Sequence, residues 1–160
     1  MTPEQAYQQD PVAFCIQELQ SPRADIRYNA VDILRACGPD SARSIQPLLD
    51  LFQQEQDLEI RRHIAFTLQD IACYLQAEMA AVEEALLTAS HDPDSQVRSA
   101  LASLFGQAQL TSPPVLSRLQ QLSNDPDPEV VEYAQRSLSS FTFPNTAEVL
   151  PEPPETPDLR

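Results

Sequence analysis

Asp92-Pro93-Asp94-Ser95-Gln96-Val97-Arg98-Ser99-Ala100-Leu101-Ala102-Ser103-Leu104-Phe105 is the stretch on which the reading of the fold turns. Asp followed by Pro signals the start of a helix, because the carboxylate caps free amides and the proline ring fits the first turn. Behind it, Val97, Leu101 and Phe105 recur at intervals of four. At about 100° per residue these positions lie within about 80° of each other, so they form one buried stripe of a helix.

The same arrangement occurs three more times. Ile26-Arg27 opens a segment that runs to Leu34, Ile60-Arg61 one that runs to Leu68, and Val130-Val131 one that runs to Leu138. A β-branched residue opens every copy, Arg follows in three, a small or aliphatic residue comes four on and a large apolar one eight on. Starts at 26, 60, 97 and 130 are a spacing that marks a helical repeat. A turn precedes each copy, at Ser21-Pro22, Glu55-Gln56-Asp57, Asp92-Pro93-Asp94 and Asp125-Pro126-Asp127. Ahead of each turn lies a further apolar stretch, at 12–19, 45–52, 79–87 and 115–122, so every unit reads helix, tight turn, helix. Gly38-Pro39 and Ser112-Pro113-Pro114 punctuate the joins.

The pattern resembles the HEAT repeat, and more closely the phycobilisome-lyase-type HEAT-like repeats, through Asp92-Pro93-Asp94-Ser95-Gln96-Val97-Arg98 and the looser Asp125-Pro126-Asp127-Pro128-Glu129-Val130. The likeness spans about residues 11 to 141. It implies an all-α, right-handed α-solenoid of about four HEAT-like helical hairpins, about eight helices, over residues 1–141. Val131 departs from the pattern at the Arg position, as expected of a terminal cap, and the turn before Ile60 lacks Pro. The resemblance further implies that Arg27, Arg61 and Arg98 bridge neighbouring repeats through turn acids such as Asp25, Asp57 and Asp94. Residues 142–160, with five Pro and four acids against one Arg, are expected to be a disordered linker or solubilising tail. A recognition motif around Val149-Leu150-Pro151 is the lesser alternative.

Composition narrows the function. The net charge is −14 and all ten basic residues are Arg, which offers no positive surface to a phosphate backbone or an anionic membrane. A protein partner with a basic or mixed-charge surface suits an acidic field better. The polar, acidic first ten residues do not read as a signal peptide, and no apolar run approaches the roughly 20 residues that span a bilayer. The expected location is the cytoplasm, with Cys15, Cys37 and Cys73 as buried free thiols.

Chemistry is hard to find. A nucleophile needs a base within reach, and the chain has two His. His63 falls on the flank of a buried stripe, where a packed structural side chain is expected, and His91 sits in a turn, where it is expected to be solvated. The two Gly are too far apart for a phosphate-cradling loop, and no carboxylate spacing suits calcium. No catalytic residue, metal or cofactor is therefore expected. What remains is a surface. Positions 2, 6 and 9 of each second helix point away from the stripe: Tyr28, Asp32 and Arg35, then Arg62, Phe66 and Gln69, then the small Ser99, Ser103 and Gly106, and last Glu132, Arg136 and Ser139. Tyr, Phe and Arg are enriched at binding hot spots. The expected function is a non-catalytic protein–protein interaction module (an adaptor, assembly factor or scaffold) anchored on Tyr28, Arg62 and Phe66. The small third unit would let a partner approach the backbone. The resemblance adds an alternative, an accessory role in phycobilin attachment or removal or in phycobilisome turnover.

Overall fold

The computed structural model of the chain describes residues 2–142. The expected tail therefore lies outside the described residues, apart from Thr142, which closes the last helix. Among the described residues there are ten α-helices, one 3₁₀ helix and no strand: α1 (Pro3–Gln9), α2 (Pro11–Glu18), α3 (Ala24–Ala36), the 3₁₀ helix (Gly38–Ser44), α4 (Ile45–Gln54), α5 (Leu58–Ala72), α6 (Gln76–Ala81), α7 (Glu83–Ala89), α8 (Ser95–Gln107), α9 (Pro113–Leu122) and α10 (Pro128–Thr142).

Two layers result. In one, α3 packs on α5, α5 on α8 and α8 on α10; in the other, α4 meets α7 and α7 meets α9. The layers are joined within the sequence-adjacent pairs α2 with α3, α4 with α5, α7 with α8 and α9 with α10. The apolar stripe explains the pairing. Ile60, Ile64 and Leu68, Val97, Leu101 and Phe105, and Val130 and Ala134 are all buried, facing Leu48, Leu49, Met79, Leu86, Val115 and Leu119 of the other layer in one continuous core. Ile26 and Leu138, the outermost members of the stripe, are half-buried, because the stack runs out beside them.

Three features were not in the sequence reading. Helix α1 forms because Thr2 and Gln5 make a capping box, Gln5 N–H donating to Thr2 Oγ1 at 3.2 Å and Thr2 N–H to Gln5 Oε1 at 2.9 Å, with Pro3 in the first turn. Tyr7 then packs edge-on against Phe14, with ring centroids 5.9 Å apart. The join at Gly38-Pro39 is a 3₁₀ helix, entered through Gly38 at φ +53, a conformation that side chains with a Cβ resist. The third unit's first helix is divided at Val82 into α6 and α7. No Gly or Pro marks that break.

Candidate protein-binding face

The turns that start α5, α8 and α10 are tied by arginines of the preceding unit. Arg27 donates to Glu55 with two bonds, at 2.7 and 3.0 Å. Arg61 donates to Asp92 with one, at 3.2 Å. Arg98 donates to Asp125 with two, both at 2.8 Å. Each guanidinium also donates to a carbonyl of its own turn, at Ser21, Glu55 and Gln56, or Asp92 and Pro93. Fork-shaped guanidinium–carboxylate pairs of this kind fix orientation as well as supply attraction.

This corrects the expected pairing. Asp25, Asp57 and Asp94 are not the acids that Arg27, Arg61 and Arg98 hold. Asp57 and Asp94 are N-caps, accepting from Glu59 N and Ile60 N and from Gln96 N and Val97 N, while Asp25 pairs with exposed Arg23. In Asp-Pro-Asp the first acid receives the ladder arginine, while the second caps its own helix and, at Asp94, also receives Arg62 of the preceding unit. The acceptor always lies six residues before its unit's arginine position. That offset reads Ser21, Glu55, Asp92 and Asp125, and the donor position reads Arg27, Arg61, Arg98 and Val131. The ladder thus has no acid at its first turn and no cation at its last.

Glu55, Asp94 and Asp125 are held in their charged form. Arg98 beside Asp125 and Arg62 beside Asp94 lower both aspartates below the ordinary 3.8. Burial alone would raise Glu55 above 4.5, but bonds from Arg27 and from the Asp57 and Gln56 amides outweigh it, and the net shift is downward. A carboxyl group whose folded pKa lies below its unfolded value contributes stability that is complete above the unfolded pKa and is lost as pH falls through the folded one. The contribution of these groups to thermal stability is therefore expected to be constant from pH 7 to about 5 and to fall steeply below about pH 4. A melting temperature unchanged between pH 5 and pH 3 would contradict this.

On the layer of second helices, α3 and α5 present the aromatic residues. Tyr28 is 42% exposed and Phe66 37%. Asp32 is exposed, and Arg35 meets Asp70 at 2.5 Å, joining the two helices across a half-exposed pair. Arg62 is placed differently from the expectation of an outward anchor. Its side chain is mostly covered, donating to Asp94 at 2.7 and 3.1 Å and to Glu59 at 2.8 Å, so it ties α5 to the start of α8. Gln69 reaches Ser103 Oγ of α8 at 3.2 Å.

The third unit is not the bare surface expected of Ser99, Ser103 and Gly106, of which the last two lie at the floor of a groove. All three are buried. Their smallness serves α10, which lies against them: Ser137 Oγ donates to Ala102 O at 2.8 Å, and a Cβ placed on Gly106 would stand 2.4 Å from Ser137 Oγ. What solvent sees there is a shallow groove of about 320 Å³ between α5, α8 and α10, rimmed by Gln69, Gln107, Tyr133 and Arg136. Glu132 and Arg136 pair with each other on the exposed side of α10, and Ser139 is exposed.

The thiols differ from the expectation in part. All three are free, but Cys15 alone is fully buried, its pKa raised to about 11 chiefly by burial; Cys37 is half-buried and Cys73 exposed at the end of α5. His91 is exposed, with Nδ1 2.9 Å from Leu87 O. His63 packs between α3 and α5 with an 11% exposed side chain. Among the described residues no group of His, Cys, Asp and Glu is arranged to hold a metal, and no helix is long and apolar enough to cross a membrane.

A designed armadillo repeat protein of known structure superposes on this chain with a TM-score of 0.66, at 13% identity, over 87% of this chain and 68% of the other. The chain has the fold of a helical-repeat solenoid. At that identity the likeness speaks to the fold alone. No family model matches the sequence of the solenoid, and no curated protein sequence matches it.

Proposed function

We propose that this solenoid is a non-catalytic protein-interaction module, a right-handed stack of four HEAT-like units whose partner docks across the second helices with Tyr28 and Phe66 at the centre. The observation that carries the proposal is the exposure of two large aromatic side chains, 42% and 37%, on adjacent helices of one layer; the other exposed large aromatics among the described residues, Tyr7 at 40% and Tyr74 at 64%, lie on α1 and just past the end of α5. Such a fold commonly serves as a scaffold for protein binding. The closure of the ladder at Ser21 and Val131 supports four units. Asp32 and Glu59 beside the aromatics, with a net charge of −14, favour a basic or mixed-charge partner met in the cytoplasm. The reading includes no catalytic step and no cofactor.

The test is affinity recovery from native cells with wild-type protein and with Tyr28→Ala plus Phe66→Ala. Arg62 is left intact, since its loss would loosen the α5–α8 junction instead of the face. Truncating two anchors is expected to reduce specific partner recovery by tenfold or more, since hot-spot residues are worth about 2 kcal/mol or more each. Undiminished recovery by a variant with wild-type circular dichroism would refute the placement.

A further inference from the structure

The α3–α5 face covers an imidazole with an unmet nitrogen. His63 lies on α5 one turn before Phe66, its ring flat against Tyr28 of α3 with centroids 4.4 Å apart and planes 6° from parallel. Nε2 is buried and makes no hydrogen bond, although Asp32 Oδ1 of α3 stands only 3.4 Å away. The Asp32 side chain is 63% exposed, so its carboxylate can turn with little resistance. The other charges acting on the ring are Arg35 of α3 and Asp70 of α5, which bind each other. Arg62, next to His63 in the chain, is engaged by Glu59 and by Asp94 at the start of α8.

We infer that protonation of His63 draws the Asp32 carboxylate onto Nε2, and so pins α3 to α5 while removing one negative charge from the face where the partner is proposed to dock. The functional consequence rests on the interaction reading above; the coupling itself lies within the chain. In the imidazolium both ring nitrogens carry a hydrogen, so Nε2 becomes a charged donor facing a carboxylate within reach. The Tyr28 ring stacked on it then contributes a cation–π attraction. Neutralising Asp32 weakens the pull of this face on a basic partner, which makes docking responsive to mild acid.

The direction of titration agrees with the geometry. Burial, aided by the positive charge of Arg35, holds His63 below its ordinary 6.5, while Asp32 and Asp70 pull the other way and only partly restore it. The ring is therefore neutral at neutral pH. For a base with a lowered folded pKa, the unfolded chain binds the proton first, so stability falls as pH drops below about 6.5, and the Asp32 pair limits that loss.

NMR titration of the His63 imidazole tests this on the chain alone. With Asp32→Asn, the His63 midpoint is expected to move to lower pH than in wild type. The Tyr28 ring resonances should follow the wild-type midpoint and lose that response in His63→Gln. A midpoint unchanged by Asp32→Asn, or a Tyr28 ring that ignores the transition, would overturn the inference. Neither readout involves a partner, so this result and the pull-down stand or fall separately.

Discussion

Arg98→Ala is expected to destabilise the solenoid by about 3 kcal/mol, the scale of breaking a largely buried ion pair by removing one member. The Arg98 and Asp125 side chains are only 13% and 8% exposed. Without Arg98, the Asp125 charge would keep the Asp127 amide as its hydrogen-bond donor, while the Asp92 and Pro93 carbonyls would lose theirs. Arg98→Lys should recover only part of the loss, because an ammonium cannot bond the carboxylate as a fork and the two carbonyls together. The ladder also predicts a ranking. Arg27→Ala should cost nearly as much as Arg98→Ala, and Arg61→Ala less, since Arg61 reaches Asp92 through one bond at 3.2 Å. Arg136→Ala is the control, since its pair with Glu132 is exposed at 67% and 64%, and such pairs contribute about 0–1 kcal/mol. Urea unfolding of the four alanine variants and of Arg98→Lys measures this. An Arg98→Ala midpoint indistinguishable from that of Arg136→Ala would refute the ladder as a source of stability.

The second large effect lies at Gly106. A methyl group there would stand 2.4 Å from Ser137 Oγ, 2.9 Å from its Cβ and 3.1 Å from its Cα, so rotating the Ser137 side chain cannot relieve the contact and α10 must move. Overpacking costs typically 1–3 kcal/mol, against a helix-propensity gain of about 1 kcal/mol for Gly→Ala. The net expectation for Gly106→Ala is a loss of up to about 2 kcal/mol, and Gly106→Leu should displace α10 from α8 altogether. In a double-mutant cycle, Gly106→Ala should cost less in a Ser137→Gly background than in wild type, because Ser137→Gly removes the two nearest atoms. If Gly106→Ala stabilises the protein, the close approach of α8 and α10 is wrong.

The repeat was legible because burial imposes it. Positions 0, 4 and 8 of each unit must share a face, and Val97, Leu101 and Phe105 do. Less legible was which polar residues meet across units. Asp92 and Asp94 have the same side chain two positions apart, and only the three-dimensional turn shows that one caps α8 while the other receives Arg61. The offset of six residues between an acid and its unit's Arg is nevertheless present in the two inner units, at Glu55 and Arg61 and at Asp92 and Arg98. Counting helical angle alone also misread the third unit: Ser99, Ser103 and Gly106 point away from the stripe, but in a stack a second helix has neighbours on both sides. Small residues there mean that a helix comes close, and here it is α10. The same physics bears on the phycobilisome-lyase likeness, since the residues that carry it are helix caps and ladder acceptors, which specify packing and name no ligand.

Position-specific photo-crosslinking reports which layer of the solenoid a partner touches. Phe66→benzoylphenylalanine places the probe on the second-helix layer, and Asp50→benzoylphenylalanine places it at an exposed position on α4 in the other layer. A partner adduct is expected from position 66, absent from position 50 and abolished by Tyr28→Ala. An adduct from position 50 with none from position 66 would contradict docking on the second helices.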